Sequence, residues 1–349
     1  MEFVTPPPLE SGDEVAVLAP SSGLAAEYPH VYERGLERLR TTFDLEPVSY
    51  PTATASSSTL AGDPAARARD LETAFADPDV RGVIATIGGN DQIRVLSHLD
   101  LDVLAENPTR FYGLSDSTNL ALALWNRGIV SYYGGHLLTE FAFPGALPDY
   151  LEAGLRSALF DDALGEIEPA PRFTDQDLSW DDPSNLERRP EMEDNPGWRW
   201  AGGDESVTGR TWGGSLEIIT LHLAADRYLP PPDALDGAVL VLETSEEQPA
   251  ASMVRRSMQA LGERGLLSRF DAILVGRAKA RSHEREREPA EREAYRERQR
   301  SVIGQVVGRY NESAPIVFDL DVGHTNPVVP VPIGGRVTVD PATERVAFE

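Results

Sequence analysis

The chain contains no cysteine, which removes disulfides, thiolate metal sites and cysteine nucleophiles together. Lysine is nearly absent as well: of 32 lysines and arginines, only Lys279 is a lysine. No apolar run approaches the roughly 20 residues that cross a bilayer, so no membrane partner is expected. The six histidines form no His-x-x-x-His or His-Glu-x-x-His pair. His222, in a leucine-rich run, and His283, in Ser-His-Glu-Arg-Glu, have no partner at ligand spacing, so no metal site and no cofactor are expected. The residues Met1 to Pro6 carry neither a basic stretch nor a long apolar one, which does not read as a secretory signal. A cytoplasmic location is expected.

Negative charge, by contrast, is abundant. Fifty-seven acidic residues against 32 basic ones give a net charge of −25, spread along the whole chain. Nucleic acid is an unfavourable partner for such a surface, because phosphate binding needs a basic face to displace counterions. A surface of this kind repels itself at low ionic strength and is relieved when concentrated salt shortens the Debye length to a few ångströms. Together with the arginine bias, this points to a salt-rich, halophilic cytoplasm; the alternative is a merely acidic protein with arginine favoured by GC-rich coding. A length of 349 residues with 41% hydrophobic content is enough for two domains, each with its own core.

Strand and helix patterns alternate through the first half. Val15 to Ala19, Leu45 to Tyr50, Gly82 to Ile87, Arg110 to Tyr112 and Ile129 to Tyr133 read as strands. Pro47 places the second of these at an edge. Helices are expected over about His30 to Arg40, over Pro64 to Ala76 with Asp63 as N-cap, in a run carrying Ile93, Leu96 and Leu99, over Asn119 to Asn126, and near Pro148 to Leu159. This alternation implies a mostly parallel sheet covered on both faces. The pattern dissolves from about Glu166 to Glu205, a length typical of a lid or a linker. It then resumes with a helix opened by Gly213-Gly214-Ser215, a strand over Gly237 to Leu242, a helix over Ala250 to Gly262, a strand over Phe270 to Val275 and a β-rich end. The charged stretch Arg281 to Arg300, interrupted by Pro289, is expected to be a solvated helix face stitched by (i, i+4) pairs.

The chemistry centres on Gly113-Leu114-Ser115-Asp116-Ser117-Thr118, which lies between a short strand and a helix. Ser115 is therefore the candidate tip of a strand-turn-helix elbow, projecting its hydroxyl toward the unpaired N–H groups of the helix start. The spacing departs from Gly-x-Ser-x-Gly at Ser117. An activated serine needs a base, and the base needs an orienting acid. His324, just past the strand Ile316 to Leu320, and Glu243, ending the apolar strand Ala238 to Leu242, are the candidates. Glu246 or Glu247 are alternatives for the acid.

These segments together resemble the serine LD-carboxypeptidase family, and within it the branch of microcin C self-immunity peptidases. The resemblance rests on the order of Gly12-Asp13 with Val15 to Ser22, Thr86-Ile87-Gly88-Gly89-Asn90, Tyr112 to Asp116, Tyr133-Gly134-Gly135, Trp198-Arg199-Trp200, Trp212 to Leu216, Leu242-Glu243 and Gly323-His324-Thr325. It implies a Ser115, Glu243 and His324 triad, an oxyanion hole on the backbone amides of Gly89 and Asp116, and a homodimer. It also implies an α/β fold: an N-terminal flavodoxin- or Rossmann-like, mostly parallel domain (1–165) with the serine, a connecting and substrate-covering loop (166–206), and a C-terminal β-rich α/β domain (207–349) with the acid and the base. The substrate is expected to be an acidic aminoacyl-nucleotide amide, with murein tetrapeptides as the alternative and non-catalytic binding of acylated nucleotides as a rival of another class. Trp180, in the tryptophan-bearing loop, is the candidate for stacking on a nucleobase. Ser215 stands where the family has asparagine after Gly-Gly.

If the acidic surface is an adaptation to salt, thermal stability rises steeply with KCl toward molar concentration. Equal stability at low and molar salt excludes the halophilic reading.

Overall fold

The computed structural model describes residues 2–282 and 285–349, so His283 lies outside the described residues. In the first half, strand β1 (Glu14–Leu18) is followed by helices α1 (Leu24–Glu27) and α2 (Pro29–Thr41), β2 (Glu46–Ser49), α3 (Ser57–Gly62), α4 (Pro64–Ala76) and β3 (Val80–Ala85). Next come α5 (Ile93–Leu96), α6 (Leu101–Glu106), β4 (Arg110–Gly113), α7 (Thr118–Trp125), β5 (Ser131–Tyr133) and α8 (Asp149–Phe160). The five strands pair in parallel in the order β5-β4-β3-β1-β2. Read from the other edge this is the flavodoxin-like order, in which ligands bind beyond the carboxyl ends of the strands. Local signals explain several boundaries. Asp63 accepts the Ala66 amide at 2.9 Å while Pro64 occupies the first helical position of α4. β2, with Pro47, lies at the sheet edge.

The second half contributes β6 (Gly165–Ile167), the short ladder β7 (Arg172–Phe173) and β8 (Glu193–Asp194), β9 (Arg199–Gly202), β10 (Val207–Ser215), α9 (Leu216–Ala225), β11 (Ala238–Glu243) and α10 (Ala251–Glu263). It ends with β12 (Phe270–Gly276), α11 (Pro289–Tyr310), β13 (Pro315–Leu320), β14 (Val331–Ile333), β15 (Arg336–Asp340) and β16 (Arg345–Phe348). An eight-stranded sheet runs β6-β16-β15-β10-β11-β12-β13-β9, parallel through its four central strands β10 to β13 and antiparallel outside them. β14 leaves this sheet and pairs antiparallel with β5, so the late chain closes the edge of the first sheet. The sheets also share a core. Leu114, Leu122, Trp125 and Tyr133 pack in one buried cluster with Trp212, Leu216, Val241 and Leu320, and the Trp125 indole donates to the Thr211 carbonyl at 3.0 Å.

Three differences from the sequence reading have physical causes. β10 escapes detection because it carries three glycines, residues that weaken strands. They are there because β11 lies too close for side chains: a β-carbon on Gly213 would stand 1.9 Å from the Val241 carbonyl oxygen, and one on Gly209 would stand 2.2 Å from that of Gly237. The region 166–206 is not structureless, since β6 and β9 form the two outer strands of the second sheet. The arginine-rich helix, finally, is not a solvated face. Pro289 starts α11, behind a Glu288/Glu291 capping box, instead of interrupting it. Arg292, Arg296 and Arg300 are buried, and they reach Glu193 at 2.8 Å, Asp175 at 2.6 Å and Asp319 at 2.9 Å. Within the helix, Arg300 pairs with Glu297 at i, i+3.

Among the described residues no helix is long and apolar enough to cross a membrane.

The buried carboxylate of Asp175 accepts the Ala280 amide at 3.0 Å and faces both Arg296 and Arg281. Removing it leaves two buried guanidinium groups short of a partner. Asp175→Ala is expected to lower stability by about 3 kcal/mol in chemical unfolding. A loss below about 1 kcal/mol would show that the cluster is not a structural anchor.

Candidate functional site

β4 ends at Gly113 and the chain turns at Ser115, whose φ of 60° lies in the left-handed region that a side chain seldom adopts. Side-chain hydrogen bonds hold this strained turn. The Leu114 amide donates to His136 Nε2 at 2.8 Å, and the Ser115 amide donates to the Tyr133 hydroxyl at 3.1 Å. Gly113 must be small because a β-carbon there would stand 2.6 Å from Ser117 Cβ. The tight packing of strand on helix is therefore met at the first position of the motif, with Ser117 tolerated at the last.

The loop after β3 lies against the elbow. A β-carbon at Gly88 would fall 2.9 Å from Ser115 Cβ and 3.4 Å from the Asp116 amide nitrogen. The Asp116 carboxylate ties the two segments together: Oδ2 accepts from the Ser21 hydroxyl at 2.7 Å, the Gln92 amide at 2.9 Å and the Asp91 amide at 3.1 Å. Its Oδ1 accepts from Asn119 Nδ2 at 2.7 Å, and Asn119 Oδ1 meets His222 Nε2 of α9 at 2.7 Å. His222 is thus a buried residue whose Nε2 links the two halves.

Glu243, at the end of β11, is 1% exposed. Its Oε1 accepts from the Tyr133 hydroxyl and its Oε2 meets His324 Nδ1, each at 2.7 Å. Glycines make room for it: a β-carbon on Gly323 would stand 2.6 Å from Oε2, and one on Gly276 would stand 2.9 Å from Glu243 Cβ. Of the acids left open by the sequence, Glu243 takes Nδ1. Glu246 takes the other ring nitrogen, with Oε2 2.9 Å from His324 Nε2. Among the described residues, Nε2 therefore faces the Glu246 carboxylate as an ion pair and makes no hydrogen bond with Ser115. Burial alone would lower the His324 pKa, yet Glu243 and then Glu246 hold it well above the ordinary histidine range. Burial likewise opposes charge on Glu246, but the His324 bond and charge hold that carboxyl at about 2.

Ser115, His324 and Glu246 line one cleft of about 440 Å³, together with Gly88, Gly89, His136, Lys279 and Trp180. Burial, followed by the nearby charge of His324, pushes His136 down to about 3, so the ring is neutral and accepts the Leu114 amide. Trp180 meets Tyr28 edge-on at 5.4 Å, and its carbonyl oxygen is 2.9 Å from His30 Nε2. Trp198, in the same loop, donates to Asp321 at 3.2 Å. Ser215 is buried: its amide donates to Thr118 Oγ1 at 2.9 Å and its hydroxyl to Glu217 at 3.1 Å.

Residues 15–134 match the N-terminal domain of the LD-carboxypeptidase family, and residues 208–339 match its C-terminal domain. The chain belongs to the LD-carboxypeptidase family of serine peptidases. A Vibrio cholerae protein provisionally named a carboxypeptidase is 27% identical over 335 residues, covering 95% of this chain and 93% of its own. The microcin C7 self-immunity protein MccF of Escherichia coli is 23% identical over 342 residues, covering 95% and 92%. In the fold comparison, an MccF-like protein from Streptococcus pneumoniae in complex with AMP has a TM-score of 0.85 at 24% identity, covering 97% of this chain and 99% of that one. MccF with aspartyl sulfamoyl adenosine gives 0.82 at 21% identity, covering 98% and 97%. At these identities the two structures speak to the fold alone.

Two residues around Ser115 carry no role in the sequence reading, and a third carries a different one. Tyr133 reads as a strand residue, and only the pairing of β5 beside β4 brings its hydroxyl to both Ser115 and Glu243. His136 offers no signal, because its partner is a backbone amide. Glu246 was considered only as a substitute for Glu243.

Tyr133→Phe removes a donor to a buried carboxylate and the acceptor for the Ser115 amide. Activity is expected to fall about 10- to 100-fold, consistent with about 1–3 kcal/mol for such unmet groups, while the fold is retained. Steady-state kinetics alongside circular dichroism provide the check, and unchanged kinetics would remove Tyr133 from the site.

Proposed function

We propose that this LD-carboxypeptidase homologue is a Ser-His-Glu amide hydrolase acting on acidic aminoacyl-nucleotide amides. The observation that carries the reading is the 2.7 Å contact between His324 Nδ1 and the buried Glu243, in a cleft that also holds Ser115 on its left-handed turn. In this reading Ser115 Oγ attacks the carbonyl carbon as its proton passes to His324 Nε2. In this reading the developing oxyanion is received by the backbone amides of Gly89 and Asp116; the close approach of Gly88 to Ser115 and to the Asp116 amide nitrogen supports that assignment. The C–N bond then breaks, Nε2 returns the proton to the leaving nitrogen, and water hydrolyses the acyl-enzyme by the same route. Glu243 fixes the ring orientation and stabilises the imidazolium.

The nucleotide side of the substrate is assigned to the loop wall. Trp180 lines the cleft, and stacking of a base on it would contribute about 1–3 kcal/mol. The relatives support the choice of substrate class: one is a microcin C7 self-immunity protein whose structure holds aspartyl sulfamoyl adenosine, and the S. pneumoniae structure holds AMP.

Two assays test the reading. Turnover of an aspartyl sulfamoyl adenosine is expected and turnover of a murein tetrapeptide is not; the reverse would establish the murein reading. Ser115→Ala is expected to abolish turnover with substrate affinity nearly unchanged, and turnover surviving in that variant would discard the nucleophile.

A further inference from the structure

Ser115 and Glu246 compete for one atom. The Glu246 carboxylate forms an ion pair with His324 Nε2 at 2.9 Å, on the nitrogen that the serine hydroxyl must reach. The ring cannot escape by turning over, because Nδ1 is held at 2.7 Å by the buried Glu243. We propose that Glu246 is a positioning residue for His324: its carboxylate occupies the nitrogen that Ser115 must reach, and serine attack requires this one contact to open. The proposal rests on the assignment of Ser115 and His324 given under the proposed function.

The two carboxylates differ in the way such a role requires. The Glu243 side chain is 0% exposed and bonded at both oxygens, so its contact with Nδ1 is permanent. The Glu246 side chain is 57% exposed, so when the contact opens water can take the place of the ring at its carboxylate. Its backbone is nonetheless fixed. Ser245 donates its amide and hydroxyl to Glu217 Oε1 at 3.1 and 2.9 Å, and the Gln248 amide closes the turn on the Ser245 carbonyl at 3.2 Å. Opening is therefore a side-chain rotation about a stationary turn.

A carboxylate only accepts, so a ring with a carboxylate at each nitrogen carries both protons. The imidazolium so formed cannot take the serine proton. Other charges near the ring are few. Lys279 approaches the His324 carbonyl at 3.4 Å but is neutralised by Asp177 at 2.6 Å. His136, neutral as described above, and the buried Glu140 stand on the segment after β5, and Tyr133 caps the far oxygen of Glu243. The sign follows: the base form appears only as pH rises through the elevated pKa of His324, and the rate of serine attack falls about tenfold per pH unit below it. Removing the Glu246 charge lowers that midpoint.

The experiment follows the pH dependence of Ser115 labelling by a fluorophosphonate, in which Oγ displaces fluoride from phosphorus and its proton passes to His324. Four full-length proteins are compared: wild type, Glu246→Gln, Glu247→Gln and Ser115→Ala. Glu246→Gln is expected to shift the midpoint down by about one pH unit or more, so that one unit below the wild-type midpoint it labels about fivefold faster. Glu247→Gln, which removes the same charge one residue away, is expected to follow wild type. A Glu246→Gln midpoint equal to that of wild type or of Glu247→Gln overturns the proposal, as does loss of labelling at every pH in a folded Glu246→Gln protein. Labelling that persists in Ser115→Ala, or that is absent from wild type, overturns the nucleophile assignment and this proposal with it.

Discussion

A carboxylate buried at the end of a strand must find donors, and the Glu243 carboxylate finds one in each half of the molecule. Tyr133 comes from the first sheet and His324 from the turn after β13 in the second. Leaving either oxygen unmet would cost far more than a surface contact. The docking of the two sheets and the assembly of the site are therefore one event. The shared core between the sheets, the exchange of β14 and the Asn119–His222 bond hold the same register from other directions. Glycines permit it: Gly214 would place a β-carbon 2.5 Å from Thr118 Oγ1 and 3.1 Å from the Tyr133 ring.

Charge serves a second purpose at the cleft wall. The segment bearing Asp175, Asp177, Glu191 and Glu193 is held to the second sheet and α11 by Arg296, Lys279, Arg281 and Arg292. On its other side the same segment meets the first half through Arg34 with Glu187 and His30 with the Trp180 carbonyl. A loop that looks featureless by periodicity is thus fixed by ion pairs whose partners lie about 100 residues away. The chain's single lysine belongs to this set, with its ammonium beside the site.

Much of the fold was legible because the local rules agreed with one another. The Asp63 cap, the edge proline of β2 and the apolar strands β3, β11 and β12 each carry their own signal. So do Ser115, Glu243 and His324, because each stands where an apolar strand stops. The remainder depends on contacts between distant segments. β10 is masked by the glycines that let β11 approach, and the arginines of α11 look solvated until Asp175 and Asp319 are brought to them. The roles of Tyr133 and Glu246 follow from which nitrogen or oxygen each reaches, and no spacing in the chain encodes that.

The direct test of the central claim is a crystal structure of the protein with a phosphonate bonded to Ser115. It is expected to show His324 Nε2 within hydrogen-bonding reach of Ser115 Oγ, Nδ1 still on Glu243 and the Glu246 side chain turned to solvent. An imidazole that remains paired with Glu246, out of reach of the modified serine, would contradict the account.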